Sequence, residues 1–184
     1  MINVKPMKIQ GAWVIESPIY SDERGNFREW FKNSEFTEIA GRKFEVSQAN
    51  VSRSKKGVVR GIHFSTSETG QAKWVTCVAG AIWDVVVDIR PNSPTFRLWE
   101  GIEISAENGK SVVLSEGLGH AFIALEDNTA TVYALSSDYD PNNEFAIHPL
   151  DSELGINWPL EELIISPRDL SAPTLNDFLD FRKN

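Results

Sequence analysis

The sequence predicts a mostly β protein, an antiparallel sandwich or barrel with a few short helices, one of them C-terminal. Short β-type runs recur along the 184 residues at fairly even spacing, and turn residues close most of them. Helical patterns are scarce and short. The chain is long enough for a sizeable core. No linker, repeat or low-complexity tract interrupts it, so we expect residues 1–184 to form a single domain.

The predicted strands combine apolar and β-branched residues with a following turn. They cover residues 12–20, 26–31, 44–51, 58–64, 74–78, 81–89, 98–104, 111–114, 121–125 and 131–135. Three segments favour helix. Residues 33–40 are predicted to form a short helix, and residues 160–164 a single helical turn. Residues 174–181 are predicted to form a helix that begins at Thr174, with Asp177 three positions later as in a capping box.

Composition excludes several classes of function. The formal net charge of −8 argues against nucleic acid as a partner. No apolar run approaches the roughly 20 residues that span a bilayer, and residues 1–10 lack the apolar core of a secretory signal. Cys77 is the only cysteine, so no internal disulfide can form and a reducing cytoplasm is expected.

One of only three histidines, His63, lies in the apolar run 58–64, with Arg60 before it and Lys73 after it. An imidazole between two cations suits proton transfer on an anionic substrate. Strict alternation would place Arg60 and His63 on opposite faces of the strand. A β-bulge at Gly61 would bring both side chains to one face.

Two spacings resemble the cupin motifs. Gly57 precedes His63 by six positions, and residues 115–120 (SEGLGH) end in His120. Metal-binding cupins carry a second histidine two positions after the first, where this chain has Ser65. The remaining nitrogen and oxygen ligands are too few for a transition metal, so we expect none. A lone histidine is more often a core residue whose ring nitrogens are hydrogen-bonded. Histidines at both motif positions favour a functional site instead.

Other candidate site residues could have a purely structural role instead. Asp84 and Asp88 share one face of the run 81–89, so one of them could orient a histidine or pair with a lysine, or form a structural ion pair near Arg90. A tyrosine such as Tyr133 or Tyr139 can donate a proton if its environment tunes it, but more often packs with its hydroxyl at the rim.

At these residues the chain resembles the dTDP-4-dehydrorhamnose 3,5-epimerase family. The shared signature covers nearly the whole chain in order. It comprises Arg24-Gly25-x-Phe27-x-Glu29, Gln48-x-Asn50, residues 57–64, Gln71-x-Lys73, residues 80–90, residues 93–96, Glu116-Gly117-x-Gly119-His120, Tyr133, Tyr139-x-Pro141, Glu144, Ile156-x-Trp158-Pro159 and Ile165-Ser166-x-Arg168-Asp169.

The resemblance implies a jelly-roll (cupin) fold, a homodimer, and neither cofactor nor metal. It implies epimerisation of dTDP-4-dehydro-6-deoxy-D-glucose at C3 and C5, giving dTDP-4-dehydro-L-rhamnose. The implied base is His63 held by Asp169, with Tyr133 as the acid and Lys73 beside the enolate oxygen. The implied substrate-binding residues are Arg24, Phe27, Glu29, Gln48, Asn50, Arg60, Lys73, His120, Tyr139, Glu144 and Arg168. Of these, Arg24 and Glu29 are expected to reach the site across the dimer.

The chain departs from the family pattern at Ser65, Ala121 and Arg168, where glutamine, glycine and lysine are frequent. None of these changes removes a proton-transfer group. They are compatible with a mono-epimerase of an antibiotic deoxysugar pathway, which inverts C3 only or C5 only. A second alternative is a non-catalytic cupin that binds a sugar nucleotide.

Overall fold

Two sheets pack face to face in the computed structural model, which describes residues 1–183. The strands are β1 (Asn3–Pro6), β2 (Ala12–Glu16), β3 (Tyr20–Asp22), β4 (Gly25–Phe27), β5 (Gln48–Ser54), β6 (Val58–Ser65), β7 (Lys73–Ala79), β8 (Ala81–Asp88), β9 (Trp99–Ser105), β10 (Lys110–Leu114), β11 (Leu118–Ala124), β12 (Thr129–Leu135), β13 (Glu144–Ala146) and β14 (Ile164–Ile165). The helices are α1 (Asn33–Ala40), α2 (Pro167–Leu170) and α3 (Leu175–Lys183).

The sheet order is typical of a jelly roll, because strands distant in sequence lie side by side. The first sheet has the order β1-β2-β10-β7-β12-β5, and the second has the order β13-β6-β11-β8-β9. All of these pairs are antiparallel. Strand β14 adds to β6 in parallel, and β3 and β4 form a separate hairpin. The predicted fold class is therefore confirmed.

Apolar side chains fill three layers. The central core lies between the sheets, where Val75 and Val112 of the first sheet meet Val86 and Phe122 of the second. Other buried clusters lie on the outer faces, under α1 around Trp74 and under α3. Strand β8, which lies between β11 and β9, is buried on both faces, which explains why the adjacent residues 85–87 are all apolar.

Several predicted elements need correction. The predicted helical turn at 160–164 is wrong, because Ile164 begins β14 and its N–H donates to the Gly57 carbonyl at 2.8 Å. The run 12–20 divides into β2 and β3, and Pro18, which has no N–H to donate, lies between them. The run 26–31 is a strand only as far as Phe27. Strands β1 and β13 and helix α2 were not predicted.

Two helices form where the sequence predicts them. Helix α1 covers Asn33–Ala40 and ends at Gly41, whose φ of 69° is the left-handed C-cap conformation. At the start of α3, Thr174 accepts from the Asp177 N–H at 3.2 Å and donates to its carboxylate at 2.7 Å. None of the helices in residues 1–183 has the length and apolar character that crossing a bilayer requires.

The two aspartates of β8 have different partners. Asp88 binds Arg90, Ser93 and Thr95, which is the structural ion pair considered above. Burial opposes its ionisation, but these hydrogen bonds prevail and lower the pKa of Asp88 to about 2. Asp84 binds a histidine instead, so only Asp84 belongs to the site described next.

Candidate active site

Strand register brings the candidate residues to the inner faces of the two sheets. Directly paired residues share a face. In the first sheet, Asn50 pairs with Tyr133, and Tyr133 pairs with Val75, which lies two positions from Lys73. All of these side chains therefore face the second sheet.

A β-bulge places Arg60 and His63 on the same inner face. His63 pairs with His120 and Arg60 pairs with Phe122, so three steps along β6 oppose two along β11. The consecutive residues Gly61 and Ile62 are both buried between them. The predicted bulge is confirmed. The peptide bond between Gly61 and Ile62 is cis.

His63 and Asp169 form a hydrogen-bonded dyad, with 2.7 Å between His63 Nε2 and Asp169 Oδ1. Strand β6 supplies the histidine, and the short helix α2 supplies the aspartate. Ser166 caps that helix by accepting from the Asp169 N–H at 3.1 Å. Burial opposes ionisation of Asp169, yet hydrogen bonds from His63, Ser166 and Gly61 hold its pKa below the ordinary value.

The dyad leaves one ring nitrogen free for chemistry. Because Nε2 is bound to Asp169, Nδ1 is the nitrogen of His63 that can accept a proton from a ligand. The His63 side chain is 31% exposed, whereas that of Asp169 is 4% exposed. The carboxylate is thus shielded behind an imidazole that a ligand can reach, as in a hydrolase triad.

Lys73 crosses between the sheets. Its ammonium nitrogen donates to the His63 carbonyl at 3.3 Å, and the residue is 6% exposed. Burial lowers the pKa of Lys73, and the charges of Glu144 and Asp84 counteract that effect. A cation in such a dry setting interacts strongly with any negative charge that develops beside it.

Tyr133 and Glu144 line the same space from opposite sheets. Burial raises the pKa of the Tyr133 phenol, Arg60 and a hydrogen bond from Asn50 lower it, and Glu144 adds to the rise. Burial also raises the pKa of Glu144, against the influence of Lys73, His63 and Arg168. A phenol that stays protonated above its usual range can serve as a proton donor.

A second histidine–aspartate pair lies beside the first. His120 Nε2 and Asp84 Oδ2 are 2.7 Å apart, and both residues are buried. The sequence allowed either role for Asp84, and the structure shows that it orients a histidine.

An open cavity of about 470 Å³ joins the dyad to two arginines. His63, Asp169, Arg60 and Arg168 line it, with residues of β14. Arg60 is tethered through its Nε to Ser54 Oγ at 3.1 Å. Two guanidinium groups at one mouth can bind phosphate groups with forked hydrogen bonds.

Three residues of the predicted binding set lie apart from this cluster. Arg24 and Phe27 belong to the β3–β4 hairpin, where the Arg24 side chain is 86% exposed and pairs with Asp22. Glu29 follows the hairpin and pairs with Lys32. Tyr139 is also exposed, but it lies at the edge of the cluster. There its N–H donates to Gln48 at 2.8 Å.

Helix α2 and the capping role of Ser166 were not predicted, although a local signal exists. Ser166-Pro167-Arg168-Asp169 has serine at the N-cap, proline at the first helical position and an acid three residues after the cap. Within residues 1–183, no group of three or more histidine, cysteine, aspartate or glutamate side chains is arranged to hold a metal ion.

A family model for dTDP-4-dehydrorhamnose 3,5-epimerase matches residues 6–177. Among curated proteins, the dTDP-4-dehydrorhamnose 3,5-epimerase of Mycolicibacterium smegmatis is 47% identical over 175 residues, which are 95% of this chain and 86% of that protein.

The fold of this chain is also similar to solved structures of sugar-nucleotide epimerases. NovW, a 4-keto-6-deoxy sugar epimerase from the novobiocin biosynthetic gene cluster of Streptomyces spheroides, superposes with a TM-score of 0.96 at 44% identity, over 99% of this chain and 92% of that one. ChmJ, a 3'-monoepimerase from Streptomyces bikiniensis solved with dTDP-quinovose, has a TM-score of 0.92 at 46% identity, over 96% and 90% of the two chains.

Proposed function

The chain belongs to the dTDP-4-dehydrorhamnose 3,5-epimerase family, and from this premise we propose that it epimerises dTDP-4-dehydro-6-deoxy-D-glucose at C3 and C5 without a cofactor. The product is dTDP-4-dehydro-L-rhamnose, and the enzyme is an isomerase. The observation that carries the proposal is the convergence of His63–Asp169, Lys73 and Tyr133 between the two sheets.

The first step is proton abstraction beside the C4 ketone. The hydrogens on C3 and C5 are acidic because the electron pair left behind moves onto the ketone oxygen. His63 Nδ1 takes the proton, and the C–H electrons form the enolate double bond as the C4 oxygen becomes negative. Asp169 stabilises the imidazolium that results. The buried Lys73 ammonium stabilises the enolate oxygen.

Inversion requires the new proton to arrive from the other face of the sugar. His63 and Tyr133 belong to different sheets, so a ring bound between them presents one face to each. Tyr133 gives its phenolic proton to the carbon, and the enolate electrons return to form the new C–H bond. Solvent then reprotonates Tyr133 and takes the proton from His63, which restores both groups.

Substrate binding is assigned to the polar residues around this space. Arg60 and Arg168 at the cavity mouth suit the diphosphate. The other proposed contacts are His120 and Glu144 from the second sheet, Gln48 and Asn50 from the first, and Tyr139 from the segment after β12.

We expect the protein to exchange hydrogen at both C3 and C5 of the 4-keto sugar nucleotide for deuterium in D2O, as followed by NMR. Tyr133→Phe should keep exchange by His63 but lose most of the inversion, by about 10²-fold or more, since the opposite-face donor is gone. Absence of exchange at both carbons with wild-type protein would refute the proposed function.

A mono-epimerase is the second candidate, because relatives of comparable identity include a 3'-monoepimerase. The same experiment separates the two reactions. Exchange and inversion at a single carbon, with none at the other, would assign the chain to that narrower activity.

We propose that the protein is a cytoplasmic homodimer with one domain per chain. The solitary Cys77 suits a reducing compartment. The hairpin supports the dimer, since Tyr20 and Phe27 are 57% and 64% exposed and Arg24 lies among them. We place Arg24, Phe27 and Glu29 of one protomer in the site of its partner.

Subunit mixing tests the donated hairpin. Arg24→Ala and His63→Asn homodimers should each be impaired, whereas mixed dimers contain one site with both residues intact and should regain activity well above either parent. Sedimentation analysis of the same samples measures the oligomeric state. A monomer, or a mixture no more active than its parents, would contradict this arrangement.

A further inference from the structure

A line of side-chain amides leads to the Tyr133 phenol along the edge of the first sheet. Gln48 and Asn50 lie two positions apart on the outer strand β5, so both point to the inner face. Asn50 is the direct partner of Tyr133 in the strand register. Asn50 also lowers the pKa of the phenol, the effect expected of a hydrogen-bond donor beside it.

The direction of these hydrogen bonds is set at the start of the line. The Tyr139 backbone N–H donates to Gln48 Oε1 at 2.8 Å, and Gln48 Nε2 donates to Asn50 Oδ1 at 2.9 Å. A backbone N–H can only donate, so the Gln48 amide is held with its oxygen toward Tyr139. Its nitrogen must then face Asn50.

The same logic fixes Asn50. Because its oxygen is occupied by Gln48, the Asn50 group left for Tyr133 is the NH₂, which can only donate. In a hydrogen bond between these two side chains, the phenolic oxygen can therefore act only as the acceptor. The Tyr133 proton is left free to point away from β5.

We propose that Gln48 and Asn50 are positioning residues that aim the Tyr133 proton at the sugar, a role that rests on the proposed function. Without the Asn50 NH₂, the phenol could turn its proton toward β5 and lose its alignment with the reacting carbon. The amides thus act through Tyr133, in addition to any contact with the nucleotide sugar. The Tyr139 segment is coupled to the acid through the same line.

Two charged groups also face Tyr133, Arg60 from β6 and Glu144 from β13, with opposite effects on its pKa. Neither has a partner in the amide line among the described hydrogen bonds. A change at Asn50 should therefore alter the phenol while leaving Arg60 and Glu144 in place.

The test is Asn50→Asp, which has nearly the same shape but replaces the donor by an acceptor with negative charge. The chain has only three tyrosines, so ultraviolet titration of phenolate, with Tyr133→Phe as the subtraction, isolates Tyr133. We expect a rise in the Tyr133 pKa of about 1 or more. Gln48→Glu should produce a smaller rise in this pKa. It removes the NH₂ group that donates to the Asn50 oxygen, but the new carboxylate does not contact the phenol. Ser52→Ala, on the same strand and face, should leave the pKa unchanged.

The second readout is the ratio of deuterium exchange to inversion. Asn50→Asp should lower inversion by about 10²-fold while exchange through His63 continues. An unchanged phenol pKa, or an unchanged ratio, would overturn the proposal. The titration needs no substrate, so it tests the amide line even if wild-type protein proves inactive, an outcome that would refute the proposed function alone.

Discussion

Replacing His63 by asparagine is expected to lower the rate of epimerisation by about 10²- to 10⁴-fold, the contribution typical of a general base. Asparagine cannot accept a proton from C3 or C5. Deuterium exchange at both carbons should fall together with inversion. This result would separate His63→Asn from Tyr133→Phe, which is expected to retain exchange. Rates with the 4-keto sugar nucleotide, followed by NMR, measure both effects.

His148→Asn is the matched control. His148 lies after β13, where its Nδ1 accepts from the Leu150 N–H at 3.0 Å, and the asparagine oxygen can take over that bond. The activity of this control should stay near that of wild type.

Asp169→Asn should also lower kcat, and the double variant with His63→Asn should be little slower than His63→Asn alone, because the two residues act as a unit. Turnover that survives His63→Asn would remove His63 as the base.

Gly61→Ala is expected to destabilise the protein by about 3 kcal/mol or more, through backbone strain and overpacking together. Gly61 has a φ of 121°, a conformation that favours glycine. An added Cβ would lie 2.5 Å from the His120 carbonyl oxygen and 2.6 Å from the Ala121 Cβ. The melting temperature should fall by roughly 6–12 °C for a domain of this size, and activity should fall as well, since the bulge aligns Arg60 with His63.

Gly41→Ala provides the comparison for this effect. Gly41 has a φ of 69° at the end of α1, and an added Cβ meets nothing within 4 Å. Strain without a clash should cost about 1–2 kcal/mol, less than at Gly61. Equal melting temperatures for the two variants would show that β11 does not restrict Gly61, and would contradict the close strand contact described here.

In the proposed mechanism, the bulge lets one short strand contact two parts of the substrate. Without the extra residue in β6, Arg60 would lie on the opposite face from His63. With it, both side chains point between the sheets, and the cavity connects the base to the arginines. A nucleotide sugar can then bind its diphosphate at the mouth while the sugar ring reaches His63.

Local sequence signals predicted a large part of the fold. Periodicity located most strands, and the capping pattern at Thr174 located α3. The turn predicted at 160–164 failed, because pairing with β6 outweighs the local helical pattern of that segment. Helix α2 is four residues long, too short for periodicity to indicate, although its capping residues carry a signal.

The sequence by itself determined the fold class, the family signature and the identity of the residues that can exchange protons. Only the tertiary structure decided that Asp84 binds His120 while Asp88 binds Arg90, although both aspartates lie on one strand. It also decided the polarity of the hydrogen bonds from Tyr139 through Gln48 to Asn50. These outcomes depend on strand order and register, which join residues distant in sequence, whereas periodicity and capping act within a few residues.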